Sequence, residues 1–183
     1  MTMIIIAVVV AVIVIWYIAA YNGLVKLRMQ GQESWSQIDV QLQRRNDLIP
    51  NLLETVKGYG KYEASTLTAV TELRQQVETT TDHQAKMAAA DQLSGALNNL
   101  YAVAENYPDL KASEEYSRLM EELSNTENKI AYARQLYNST VSILNARIQS
   151  FPANIVAKFH HFMPMEFLQV PESAKEAPKV SFD

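Results

Sequence analysis

Between residues 39 and 51 the chain gathers Asp39, Gln41, Arg44, Arg45, Asn46, Asp47 and Asn51. Guanidinium, carboxylate and amide groups so close together can bind a polar ligand or a partner, or can satisfy each other inside a fold. The apolar residues around them, Trp35, Ile38, Leu42, Ile49, Leu52 and Val56, recur at steps of three and four, which puts Arg45 on the helical seam itself. A charge on a seam costs stability unless a carboxylate or carbonyls meet it. Its structural reading is a buried polar link that fixes helix register. Its functional reading is a ligand or partner pocket at the kink expected from Pro50. Asp39, Arg44, Arg45, Asp47 and Asn51 are the candidates for either role.

Other reactive patterns are thin. His160 and His161 are adjacent, so on a helix they point about 100° apart and do not clamp an ion as an i, i+4 pair does. His83 is remote in sequence. Glu114-Glu115 and Glu121-Glu122 read as solvated helix charges. There is no Cys, which excludes disulfides, thiolate metal sites and Cys nucleophiles. No G-x-S-x-G, H-E-x-x-H or phosphate-cradling Gly loop occurs. The expectation is no catalytic residue, no cofactor and no metal. A net charge of −4 argues against a nucleic-acid partner. Asn138-Ser139-Thr140 matches a glycosylation acceptor but falls inside a helical pattern, which reads as coincidence.

The elements that must position these residues are helices. Tyr116, Leu123, Ile130, Tyr137 and Leu144 recur every seven residues, with Leu119, Thr126, Ala133 and Thr140 between them. Leu136, Val141, Ile143 and Ile148 are expected to widen that face. Ser113 is the expected N-cap and Pro152 marks the far end. A second long pattern runs from Trp35 to Tyr59, ended by Gly58-Tyr59-Gly60, with Pro50 kinking but not ending it. Leu67, Val70, Leu73 and Val77 mark a third helix; Leu93, Leu97, Leu100, Ala104 and Tyr107 mark a fourth. Thr79 to Asp82 and Tyr107-Pro108-Asp109 make the turns. The fold class is all-α, a long antiparallel four-helix bundle over residues 26–150.

Residues 1–25 carry no charged side chain, and Met3 to Ala20 is a continuous apolar run. As a helix that run spans roughly 27 Å, the thickness of a bilayer's hydrocarbon. A cleaved signal peptide would need a basic leader, which Met1-Thr2-Met3 does not supply, and Ile18-Ala19-Ala20 is a poor cleavage site. A transmembrane anchor over 1–25 is expected to run on into the bundle, with Gly23 and Gly31 as weak points. Lys26 and Arg28 follow it, so the positive-inside rule puts the N-terminus outside and the main domain in the cytoplasm. The middle helices are shorter than the outer two, so only two helices run side by side near the membrane. Residues 151–170 then arrive at that thin base, bearing Ile155, Val156, Phe159, Phe162, Met163 and Phe167. They either cover the bundle or contact the bilayer or a neighbouring subunit. Residues 171–183 read as a flexible tail.

The run from Trp35 to Tyr59 resembles the signature of the LemA family of bacterial membrane proteins. The likeness continues at Leu93-Ser-Gly-Ala-Leu, Tyr107-Pro-Asp-Leu-Lys-Ala, Glu121-Glu-Leu-Ser-Asn-Thr-Glu-Asn-Lys-Ile-Ala, Ser150-Phe-Pro-Ala-Asn-Ile-Val-Ala and the Tyr21-Asn22-Gly23-Leu24 junction. It covers nearly the whole chain. The resemblance implies an N-terminal anchor, a long antiparallel helical bundle and no established enzymatic activity. Some members carry a lipoprotein Cys that this chain lacks; they keep the periplasmic side open as the alternative location. Two functions follow as expectations. The first is a non-catalytic scaffold at the bacterial inner membrane that forms homo-oligomers, with the lipid bilayer as partner. The second is a tethered sensor or adaptor that binds a ligand or an unidentified membrane protein near Asp39–Asn51.

Overall fold

The computed structural model describes residues 1–58 and 64–169. The expected helix end at Tyr59-Gly60 and the tail at 171–183 lie outside them. The described residues form six helices: α1 (Thr2–Gly58), α2 (Ala64–Thr79), α3 (His83–Ala104), α4 (Pro108–Lys111), α5 (Glu114–Gln149) and α6 (Ala153–Phe159). The fold is all-α. Its 57-residue first helix, roughly 85 Å long, carries an apolar N-terminal part and continues into the bundle without a break.

Contacts divide the chain into two compact units, with the divisions falling inside α1 and α5. One unit joins residues 38–132 and holds the antiparallel four-helix body. Its core is Ile38, Leu42, Ile49, Leu52 and Val56 of α1, Val70 and Val77 of α2, Leu93, Leu97 and Leu100 of α3, and Leu119, Leu123 and Ile130 of α5, all buried. The caps follow the sequence. The Ala85 N–H donates to Asp82 Oδ1 at 2.8 Å, and the Tyr116 N–H to Ser113 Oγ at 3.3 Å. The expected turn at Tyr107-Pro108-Asp109 opens a short helix instead, because Pro108 suits a first helical position and Leu110 is buried.

Pro50 lies inside α1 and the helix continues past it. Proline has no N–H, so the carbonyl four residues back, that of Asn46, loses its helical donor. Arg74 on α2 takes the place: its Nε donates to Asn46 O at 2.9 Å, and Asn46 Nδ2 donates to Arg74 O at 3.4 Å. The proline thus creates an acceptor that docks a neighbouring helix. Arg74→Met is expected to cost about 1–3 kcal/mol, the price of an unmet buried carbonyl. In a Pro50→Ala background the restored N–H meets that carbonyl and the cost should shrink. Urea titration of the four variants measures the coupling, and equal costs in both backgrounds would refute it.

The other unit joins residues 1–37 with 133–167. Here α1 and α5 run antiparallel: Trp35 meets Tyr137 edge to face at 6.2 Å, and Ala20 and Leu24 pack with Leu144 and Ile148. The α6 residues Val156 and Ala157 complete that cluster, with Trp16, Tyr17, Leu27, Phe162 and Met165 around it. Residues 151–167 therefore do cover the two-helix end, which would otherwise lack a core. Asn145 holds the strap down by mimicking a backbone. Its Nδ2 donates to Met165 O at 2.8 Å and its Oδ1 accepts the Met165 N–H at 2.9 Å.

Two expectations are corrected here. Gly31 is no weak point: it is buried, and a Cβ added there would lie 2.8 Å from Met165 Sδ, so its bareness admits the strap. Leu136 and Ile143 do not widen the core of α5; both are exposed, because a two-helix unit buries only the seam and one flank.

Candidate functional site

Arg45 sits on the seam of α1, and its side chain is 1% exposed within the four-helix unit. Its Nη1 donates to Glu127 Oε2 on α5 and to Ser94 Oγ on α3, each at 2.8 Å. Its Nη2 donates to the Ala90 carbonyl at 3.1 Å. Ser94 Oγ lies 3.0 Å from Glu127 Oε1, closing a ring of three side chains. The Arg45 Nε has no hydrogen-bond partner among the described residues. One buried cation thus ties α1 to α3 and α5.

The network forms one wall of a cleft between α3 and α5, with a cavity volume of ≈ 320 Å³. Leu97, Met120 and Leu123 supply apolar surface; Asn98, Ser124, Asn128 and Tyr101 supply hydrogen-bonding groups. Burial pushes the Tyr101 hydroxyl up to about 12; Tyr116 and the Glu127 carboxylate add to this, and Arg45 opposes it. The phenol is therefore a neutral donor across the physiological range. The cleft has the chemistry to seat a small polar molecule with an apolar side.

The Tyr101 shift carries a pH signature. A folded pKa above the unfolded value of 10 gives stability that is whole below pH 10 and fades as pH rises through about 12. Between pH 8 and pH 11.5 this group should remove about 2 kcal/mol. Tyr101→Phe should lose less stability than the native chain over that interval. Parallel denaturant titrations at the two pH values check it, and identical losses would contradict the assignment.

The remaining sequence candidates are dispersed. Asp39 pairs with Lys86 of α3. Arg44 is exposed, and Asp47 is exposed and accepts from Gln43 Nε2 at 2.9 Å. Asn51 lines a shallow recess with Glu54, Thr55, Gly58 and Glu115. So Arg45 alone of the five lines the cleft; Arg44, Asp47 and Asn51 face outward. Ser94, Tyr101 and Glu127 were not singled out from sequence. Glu127 follows the buried seam residue Thr126, and a carboxylate at a seam's edge was the available signal for Arg45's partner. Among the described residues no group of three or more His, Asp or Glu gathers as a metal site.

In the other unit Val156 is 0% exposed, which removes it from the outward contact set, and Phe162 is half-buried, its ring 5.9 Å from that of Tyr21. Ile155, Phe159, Met163 and Phe167 are exposed.

Comparison with known proteins gives a family match and relatives. The LemA family model matches residues 34–182. Protein LemA of Metamycoplasma hominis is 30% identical over 147 residues, which cover 78% of this chain and 65% of that protein. Magnetosome protein MamQ 2 of Paramagnetospirillum magneticum is 25% identical over 175 residues, covering 81% and 64%. Magnetosome protein MamQ of Magnetospirillum gryphiswaldense is 23% identical over 173 residues, covering 80% and 64%. The chain thus spans just under two thirds of the length of these relatives.

Proposed function

The chain belongs to the LemA family, and from that membership and its own fold we propose that it is a non-catalytic helical scaffold, anchored at the bacterial inner membrane, that self-associates. The observation that carries the reading is α1. Its N-terminal part is apolar and bare, with large side chains from Met3 to Ile15 at least half exposed, while the same helix continues into a packed bundle. Such a surface is stable in lipid and not in water. Lys26 and Arg28 just beyond the apolar stretch support a single pass with the body in the cytoplasm. A structural role for the buried Arg45 guanidinium is supported by its bonds to Ser94, Glu127 and the Ala90 carbonyl, which join α1 to α3 and α5.

Self-association is supported by the apolar groups that the two-helix unit leaves uncovered. Met29 on α1 and Leu136 and Ile143 on α5 are exposed. Full-length protein extracted in detergent should scatter light as a large uniform particle. Leu136→Lys with Ile143→Lys should shrink the particle and leave helicity unchanged. A native monomer would sink the scaffold reading. The sensor or adaptor reading rests on the Arg45 cleft, and substitution of Arg45 separates it from the scaffold.

A further inference from the structure

We propose that the outward face of α6 and its flanks, formed by Phe151, Ile155, Phe159 and Met163, is a second membrane contact that lies in the interfacial layer of the bilayer α1 enters. The proposal rests on the reading that the apolar part of α1 spans that bilayer.

Depth is the first argument. The strap is held at one level of α1. His160 Nε2 lies 2.7 Å from the Tyr17 hydroxyl, and the His160 ring is 4.5 Å from that of Tyr21. Val156 and Ala157 pack with Ala20 and Leu24, flanked by Trp16 and Tyr17. From Met3 to Ile15 the helix is bare and apolar, so Trp16, Tyr17 and Tyr21 mark the boundary between hydrocarbon and headgroups, where aromatic rings settle. The strap touches those same residues and shares their depth.

The second argument is that α6 has two apolar faces. Ala153, Val156 and Ala157, at i, i+3 and i+4, face the protein and are buried. Ile155 and Phe159, one turn apart, face away at 57% and 72% exposed, and Phe151 and Met163 extend the patch at 80% and 75%. Lys158 is exposed beside them, suited to an anionic headgroup. A segment needed only to cover the α1–α5 pair has no use for this second face. Nor does the patch hang on a loose end. The Asn145 clamp on Met165 and the bond from the Tyr137 hydroxyl to the Glu166 carbonyl at 3.2 Å fix the segment that follows α6. Continuity selects lipid over a second copy, because the patch lies beside a helix whose bare apolar surface must already be covered by lipid.

The chain's lack of cysteine makes the test direct, since any introduced thiol is unique. Ile155→Cys and Phe159→Cys carry a nitroxide at the patch, Ile13→Cys carries one in the apolar stretch, and Glu121→Cys carries one on the exposed face of α5. Each full-length variant is reconstituted in vesicles of phosphatidylcholine and phosphatidylglycerol, and collision with oxygen is compared with collision with a water-soluble nickel chelate. The expected result is several-fold less nickel accessibility at 155 and 159 than at 121, with oxygen accessibility approaching that at 13. Labels at 155 and 159 as open to nickel as 121, with 13 still in lipid, would overturn the proposal and leave the spanning helix standing. A label at 13 open to nickel would overturn both. Labels at 155 and 159 shielded from nickel and oxygen alike, with dipolar broadening that vanishes on dilution with unlabelled chain, would assign the patch to a second copy and overturn the proposal.

Discussion

Glu127→Ala is expected to destabilise the protein by about 3 kcal/mol, whereas Arg45→Met should change stability by less than about 1 kcal/mol. The asymmetry follows from where the two charges sit. Arg45 is 1% exposed, and Glu127 is 49% exposed and reaches in from the edge. Removing the carboxylate leaves the Arg45 guanidinium buried against Ser94 and the Ala90 carbonyl without the carboxylate that pairs with it. Removing the guanidinium lets Glu127 turn to solvent, and Met fills the seam with similar volume. The half-exposure of Glu127 keeps its cost at the low end of the range for a broken buried pair. The double variant Arg45→Met, Glu127→Ala should sit near the single Arg45 variant, so the two effects are strongly non-additive. Denaturant titration of the four proteins gives the cycle. The same variants divide the two functional readings. If Arg45 only fixes register, Arg45→Met retains stability and broadens the amide spectra of the bundle; if the cleft seats a ligand, Arg45→Met folds and assembles normally but loses the cellular function. Additive losses of similar size would refute the buried-pair account.

The helices were legible because their seams repeat. A seven-residue spacing from Tyr116 to Leu144 needs no tertiary knowledge, and all five of those residues are buried. Burial of Arg45 was legible for the same reason: position on a seam dictates it. Its partners were not, since Ser94 and Glu127 are 49 and 82 residues away in sequence and only the packing of α3 and α5 brings them in. Pro50 was readable as a lost donor, but the use of the freed Asn46 carbonyl by Arg74 depends on where α2 lies. Gly31 misled for a related reason. In sequence it is a poor helix former; in the fold it is the gap that Met165 fills. The four candidates other than Arg45 shared its neighbourhood in sequence but not its face. On a helix, neighbours in sequence diverge by about 100° per residue, so Arg44 turns outward beside a buried Arg45.

Ile130→Ala should cost about 2–5 kcal/mol, and Ile143→Ala less than about 0.5 kcal/mol, although both remove the same atoms from the same helix. Ile130 is 2% exposed on the seam of α5 in the four-helix unit, so truncation leaves a cavity in a packed core. Ile143 is 56% exposed in the two-helix unit, where the strap covers one side of α5 and leaves the other bare. Composition cannot tell them apart; periodicity can, since 130 falls in the heptad series and 143 does not. Ala is also the better helix former, which offsets what little contact Ile143 loses within its own chain. Any larger effect of Ile143→Ala would then have to come from surface buried between chains, and it would depend on protein concentration. Denaturant titration of both variants in detergent at two concentrations reads both terms. A concentration-independent loss at Ile143 as large as that at Ile130 would show that the two-helix unit buries more of α5 than its seam, and would remove the apolar surface on which self-association rests.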